Sequence, residues 1–262
     1  MLGLHEKWRA TFIESWPDEV CELGLPFEQL LVSEQDRLAI GSRTAAFRAL
    51  FSVDELPQLS DEFRVSIDAK TAVFKEGAHF RFGGCSFKQP GQYQKGPIFN
   101  SAQLMSHILR DNPRVAGLLA SSLQDKFDVC MFIRPWKDIP KWSEFRLFMK
   151  NREFIGASQY FHTAFFPEIE ANAKSIAGAL VDFADRFREV AHIDDAIVDI
   201  YLKPGNVAGF DAVLLDINPL IVRSDPCLFQ WRNGGDFDRG LRFRGGNNRV
   251  LAIAPLPFAR AA

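Results

Sequence analysis

The chain has 262 residues, 47% hydrophobic and 24% charged, which is enough to bury one large core or two lobes and excludes a disordered or collagen-like protein. Thirty-one basic residues against 33 acidic ones give a formal net charge of −2, so no global field points to nucleic acid or to a membrane surface. The four cysteines, Cys21, Cys85, Cys130 and Cys227, are too scattered for a zinc-type pair and too few for a disulfide scaffold, which leads us to expect a reduced, cytoplasmic protein. The amino terminus lacks an apolar signal core, and no run approaches the roughly 18 apolar residues of a spanning helix.

In chain order, Glu6 to about Phe51 reads as mostly helical, with Trp8, Phe12, Trp16 and Val20 one turn apart and Pro17 and Pro26 interrupting. Residues 1–60 are expected to form an accessory helical segment, with a boundary in the polar stretch around Ser52 to Ser60. From Ala72 to Lys88, apolar residues bracket Arg81, and Gly83 and Gly84 open a loop that Ser86 and Lys88 close. A glycine-rich turn with cations beside it can cradle phosphate, although the Walker spacing is absent and two such glycines are more often a plain hairpin turn. Ser101 to Ser122 reads as a helix broken at Pro113, and Phe127 to Ile133 as a strand ending in R-P-W-K. Glu144 to Lys150 and Phe154 to Tyr160 are expected to form a hairpin. Alternation puts Arg146 on the face of Glu144, so an ion pair between them is one reading. Ser175 to Ala191 is the most regular helix, with Ile176, Leu180, Phe183, Ala184, Phe187 and Val190 in one stripe.

The chemistry is expected from Ile197 to Trp231. Residues 197–202 and 210–217 are rich in Val, Ile and Leu and flank a K-P-G-N cluster, the pattern of an antiparallel hairpin. Each run holds one acid. If Asp199 lies opposite Asp216, the tip falls on Asn206 to Gly209 and Asn218 shares the face of Asp216. Facing carboxylates repel, and burying them unpaired costs several kcal/mol. A hard divalent cation such as Mg²⁺ relieves that repulsion, and two carboxylates with one amide are oxygen ligands suited to it. The alternative is a strand end with ordinary turn residues and a solvated Asp199. Beyond Trp231, Arg239, Arg242 and Arg244 invite either a phosphate site or a solvated, glycine-rich loop.

Taken together, D-I-N-P-L-I-V-R-S-D-P-C-L-F-Q-W at Asp216 to Trp231 resembles the closing motif of the cell division cycle protein 123 family, with Asp216, Asn218, Pro219, Asp225, Leu228, Phe229 and Trp231 in step. I-V-D-I-Y around Asp199, the stretch Phe132 to Met149, and I-G-A-S-Q at Ile155 to Gln159 extend the likeness over about Ala72 to Trp231. The resemblance implies an α+β, ATP-grasp-like fold: two α+β lobes with antiparallel sheets enclosing a nucleotide cleft, lobes 61–134 and 135–262 following the N-terminal helical segment. It implies ATP and Mg²⁺ as ligands, with Asp199, Asp216 and Asn218 on the metal. Arg81 and Lys88 become nucleotide-contacting cations, Arg134 and Trp136 hinge residues near the adenine, and Arg146 a phosphate contact. Function then divides between a nucleotide-dependent assembly chaperone or regulator with a protein client and an ATP-dependent ligase or phosphotransferase. A ligase of this type would form an acyl phosphate on a peptide, a small acid or an RNA end.

Overall fold

The computed structural model describes residues 4–87, 94–205, 209–254 and 256. The elements run α1 (Leu4–Arg9), α2 (Asp18–Cys21), β1 (Glu28–Leu31), α3 (Glu34–Gly41), α4 (Ala45–Phe51), α5 (Asp61–Thr71), β2 (Ala78–Phe82), β3 (Cys85–Ser86), α6 (Ser101–Ile108), α7 (Pro113–Gln124) and β4 (Cys130–Pro135). They continue with β5 (Glu144–Lys150), β6 (Glu153–Gln159), α8 (Pro167–Val190), β7 (Ala196–Pro204), β8 (Phe210–Pro219), β9 (Leu241–Arg244) and β10 (Val250–Ile253). The chain divides into two units, Pro26–Lys137 on the one hand and Met1–Leu25 with Asp138–Ala262 on the other.

Pro26–Lys137 is built on an antiparallel sheet of order β1-β4-β2-β3. Four of its helices begin where polar side chains satisfy the first backbone N–H groups: Ser33 accepts from Asp36, Ser60 from Phe63, Asn100 from Gln103 and Asn112 from Val115. Pro113, read from the sequence as a break, is the first residue of α7, where its missing N–H costs nothing.

Residues 1–60 are not one helical segment. Glu28–Leu31 pairs with Cys130–Ile133 as β1, and this carries the chain from Pro26 onward into the first unit. The sequence E-Q-L-L has no strong strand propensity, so the partner strand decides its conformation. Residues before Leu25 go to the other unit, in which the Leu23 carbonyl accepts from the Leu214 N–H at 2.8 Å, beside β8.

The second unit holds a sheet of order β10-β9-β6-β5-β7-β8, antiparallel except at β6–β9. β5 and β6 join through Asn151 and Arg152, both at positive φ, the two-residue turn whose twist matches that of the flanking strands. The long helix α8 starts earlier than its stripe predicts, at Pro167, with Glu168 and Glu170 in the first turn and Arg188 in the last, complementing the helix dipole. It packs on β6, β8, β9 and β10. Ile176, Leu180 and Phe183 are wholly buried. Leu180→Ala is therefore expected to lower the unfolding free energy by about 2 to 5 kcal/mol in urea titrations, since deletion leaves a cavity that packed neighbours refill only in part.

Candidate functional site

The sheet of the second unit carries one polar row across five strands. Cross-strand partners run Arg242 on β9, Ser158 on β6, Arg146 on β5, Asp199 on β7 and Asp216 on β8. Residues directly opposite one another project from the same face, so all five share it. The next row on that face, two residues along each strand, is Gly156, Phe148, Ile197 and Asn218.

Asp199 thus lies directly opposite Asp216, and Ile197 opposite Asn218. A bulge between Asp199 and Ile200 shifts the pairing so that Ile200 meets Leu214, and the register expected for the outer half of the hairpin is off by one there. Residues 206–208 of the expected tip lie outside the described residues. Both acids are buried, at 5% and 9% exposure. Arg146 grips Asp199 through two bonds, Nε to Oδ1 at 2.7 Å and Nη2 to Oδ2 at 2.8 Å, and Asn218 Nδ2 donates to the same Oδ2 at 3.3 Å. The bidentate fork, rather than Glu144 on its own strand, is the carboxylate contact of Arg146. Burial alone would lower the Arg146 pKa, but the charge and hydrogen bonds of Asp199 more than reverse this and raise it above the ordinary guanidinium value. Arg146 also lies over the Tyr160 ring, 5.0 Å from its centroid.

The same row holds the closing segment after β8. Arg146 Nη1 donates to the Asp225 carbonyl at 2.8 Å, Ser158 Oγ accepts from the Leu228 N–H at 3.3 Å, and Arg242 Nη1 donates to the Leu228 carbonyl at 3.2 Å. Phe229 then packs with Phe148 and Ile197, and Trp231 and Phe237 pack against that cluster. Gly156 is what lets the Phe229 ring lie so close, since a Cβ there would stand 2.6 Å from its Cζ. Gly156→Ala is expected to destabilise by about 1 to 3 kcal/mol through overpacking, read as a lower urea midpoint. An unchanged midpoint would mean that the ring moves aside freely.

Arg242 is pinned by Asp236 and Asp238 at 2.8 and 2.9 Å and stacks on Phe229 at 4.1 Å. Arg239 pairs with Glu153 at 2.6 Å, and Arg244 donates to the carbonyls of His162 and Asn248. Arg242 and Arg244 are thus tied into their own unit on β9, while Arg239 makes a surface pair and residues 246–249 are solvated.

In Pro26–Lys137, Arg81 pairs with Phe132 and Ser86, while His79 pairs with Arg134. Alternation places Arg81 and Arg134 on one face of that sheet, and both are buried, at 4% exposure each. Gly83 and Gly84 form the turn between β2 and β3. Trp136 is half-buried, and its backbone N–H donates to the Gly77 carbonyl. Lys88 lies outside the described residues.

The two acids and the amide fit a hard cation in donor chemistry. Their oxygens are the only ligand type such an ion takes readily, and added positive charge would relieve the repulsion of two buried carboxylates. For Asn218 to ligate, its amide would turn its oxygen inward, since the nitrogen now faces Asp199. Asp225, which had no assigned role in the sequence, contributes its backbone carbonyl. Ser158 and Arg242 were not recognised as belonging to the site, because the strand neighbours that align them are far apart in the chain.

The model of a family described as D123 matches residues 98–235. A translation initiation factor eIF2 assembly protein of Candida albicans is 28% identical over 139 residues, covering 51% of this chain and 38% of that protein. Cell division cycle protein 123 of Eremothecium gossypii is 28% identical over 129 residues, covering 48% of this chain and 35% of that protein. The match thus spans little more than a third of these curated relatives. The solved structure of Cdc123 from Schizosaccharomyces pombe superposes with a TM-score of 0.69 at 16% identity, covering 88% of this chain and 92% of that one. That likeness is one of fold, and it agrees with the α+β class expected from the sequence.

Proposed function

The chain belongs to the D123 family, that of cell division cycle protein 123, and on this premise we propose that it is an ATP- and Mg²⁺-binding, ATP-grasp-type protein acting as a nucleotide-dependent assembly chaperone or regulator. The observation that carries this reading is the alignment of Arg146, Asp199 and Asp216 on three neighbouring strands, with Asn218 in the adjoining row. Asp199, Asp216 and Asn218 would hold the metal ion, which would supply positive charge to the outer phosphates. Arg146 is assigned to the site through Asp199, which its fork orients, and would meet a phosphate only by exchanging that carboxylate for it. Arg81 and Arg134 are two buried cations on one sheet face and are assigned to the nucleotide, as are Lys88 and Trp136.

The relatives named as eIF2 assembly proteins suggest a protein client of that kind. No helix among the described residues is long and apolar enough to cross a membrane. The ligase or phosphotransferase reading needs a second-substrate site, for which the Gly83–Gly84 loop and the arginine-rich tail are the candidates. With Arg239, Arg242 and Arg244 engaged by Glu153, Asp236, Asp238 and backbone carbonyls, the assembly reading is preferred.

Calorimetric titration of the full chain with ATP and with AMP, each with and without Mg²⁺, tests the proposal. Binding that needs Mg²⁺ and favours ATP is expected. The absence of both heat and a melting shift with ATP and Mg²⁺ would overturn it, and turnover that requires an added acid or amine would restore the ligase.

A further inference from the structure

We propose that His162, Asp225 and Cys227 form a second metal site, for a divalent ion of the Zn²⁺ class, at the mouth of the closing segment. One ligand atom from each residue lies within 4.8 Å of the others. No part of the sequence suggested it, because His162 follows β6 whereas Asp225 and Cys227 follow β8.

The ligand chemistry selects the ion. An imidazole nitrogen, a carboxylate oxygen and a sulfur suit a borderline-soft cation, whereas Mg²⁺ and Ca²⁺ take oxygen. Bonds of about 2.0 to 2.3 Å to such an ion require the three atoms to draw together by roughly 1 Å, leaving a fourth position for water. A thiolate and a carboxylate balance two positive charges. Arg146, which donates to the Asp225 carbonyl, is paired with Asp199.

The three side chains are also held in place. His162 Nδ1 lies 3.3 Å from the Tyr160 carbonyl, and a proton donated there leaves the Nε2 lone pair for a metal, the usual support of a ligating imidazole. Gln159 donates to the carbonyls of Phe161 and Ala164, and Arg244 to that of His162, so the loop is pinned on both sides of the ring. Asp225 Oδ1 accepts the Cys227 N–H at 2.8 Å, leaving its other oxygen to ligate. Arg146, Ser158 and the Trp231 indole fix the Asp225 carbonyl, the Leu228 N–H and the Ser224 carbonyl. Cys227 itself has φ of +55°, a conformation that non-glycine residues rarely adopt.

A cysteine ligates as the thiolate, so the ion takes the place of the Cys227 proton. Binding then exchanges one S–H bond for one metal–sulfur bond and releases one proton to solvent. The inference does not depend on nucleotide, and its test is made without any.

Co²⁺ serves as the visible stand-in for Zn²⁺ in titrations of the full chain at neutral pH. Expected are a thiolate-to-cobalt charge-transfer band that saturates at one ion per chain, release of about one proton per ion, and loss of the band on adding Zn²⁺. Cys227→Ser should abolish the band, and His162→Gln should weaken Co²⁺ binding by about 100-fold. The other thiols, Cys21, Cys85 and Cys130, lie outside the cluster and act as internal controls. A band that survives in Cys227→Ser, or none in the parent chain, overturns the proposal. Should the serine variant fail to fold, His162→Gln decides by the same criterion.

Discussion

Asp199→Ala is expected to lower the unfolding free energy by about 3 to 5 kcal/mol, because it leaves the Arg146 guanidinium buried without the carboxylate that offsets its desolvation. Arg146 and Asp199 side chains are 8% and 7% exposed, so water cannot substitute for the missing partner. The pair need not make the protein more stable than an apolar one would. Replacing both residues together, Arg146→Met with Asp199→Leu, is expected to recover most of the loss, since neither buried charge is then left alone. Urea unfolding of the two single variants and the double variant measures this as a double-mutant cycle. A loss below about 1 kcal/mol for Asp199→Ala would place the pair among solvent-screened surface contacts and contradict its burial. If the double variant regains stability yet binds no nucleotide, the pair is kept for its ligands and not for the fold.

Asp216→Ala has the second large effect, on binding. It should weaken Mg²⁺-dependent ATP binding by about 100-fold, roughly 2.7 kcal/mol, while the circular dichroism of the folded chain persists. The physical reason is that Asp199 is already engaged by Arg146 through both oxygens, so Asp216 is the carboxylate on which the ion would chiefly rely. Chelation of Mg²⁺ should mimic the substitution in the parent chain and add little in the variant. Equal ATP affinity for parent and variant in Mg²⁺ would remove Asp216 from the metal assignment.

How much of this was legible beforehand varies by residue. The hairpin of β7 and β8 announces itself through two apolar runs and a turn cluster, and the inner register follows once the acids are set opposite. The bulge beyond Asp199 leaves no such mark, because an extra residue changes the pairing without changing the composition. The Arg146 assignment illustrates a different difficulty. Alternation along β5 finds its face but not its partner, for Glu144 on the same strand and Asp199 on the next are equally compatible with that face. Residues 28–31 show the reverse case, a stretch with helical neighbours that becomes a strand because β4 presents an open edge.

The sequence by itself determined the body of helix α8 and the two hairpins, which rest on local periodicity and on turn residues, while the α+β class came with the family resemblance and the facing of Asp199 and Asp216 was one register among those the two runs allow. Only the tertiary structure decided that Arg242, Ser158, Arg146, Asp199 and Asp216 form a single row, and that His162 meets Asp225 and Cys227. Those contacts join strands and loops far apart in the chain, where strand order and register, rather than spacing along the sequence, fix which side chains meet.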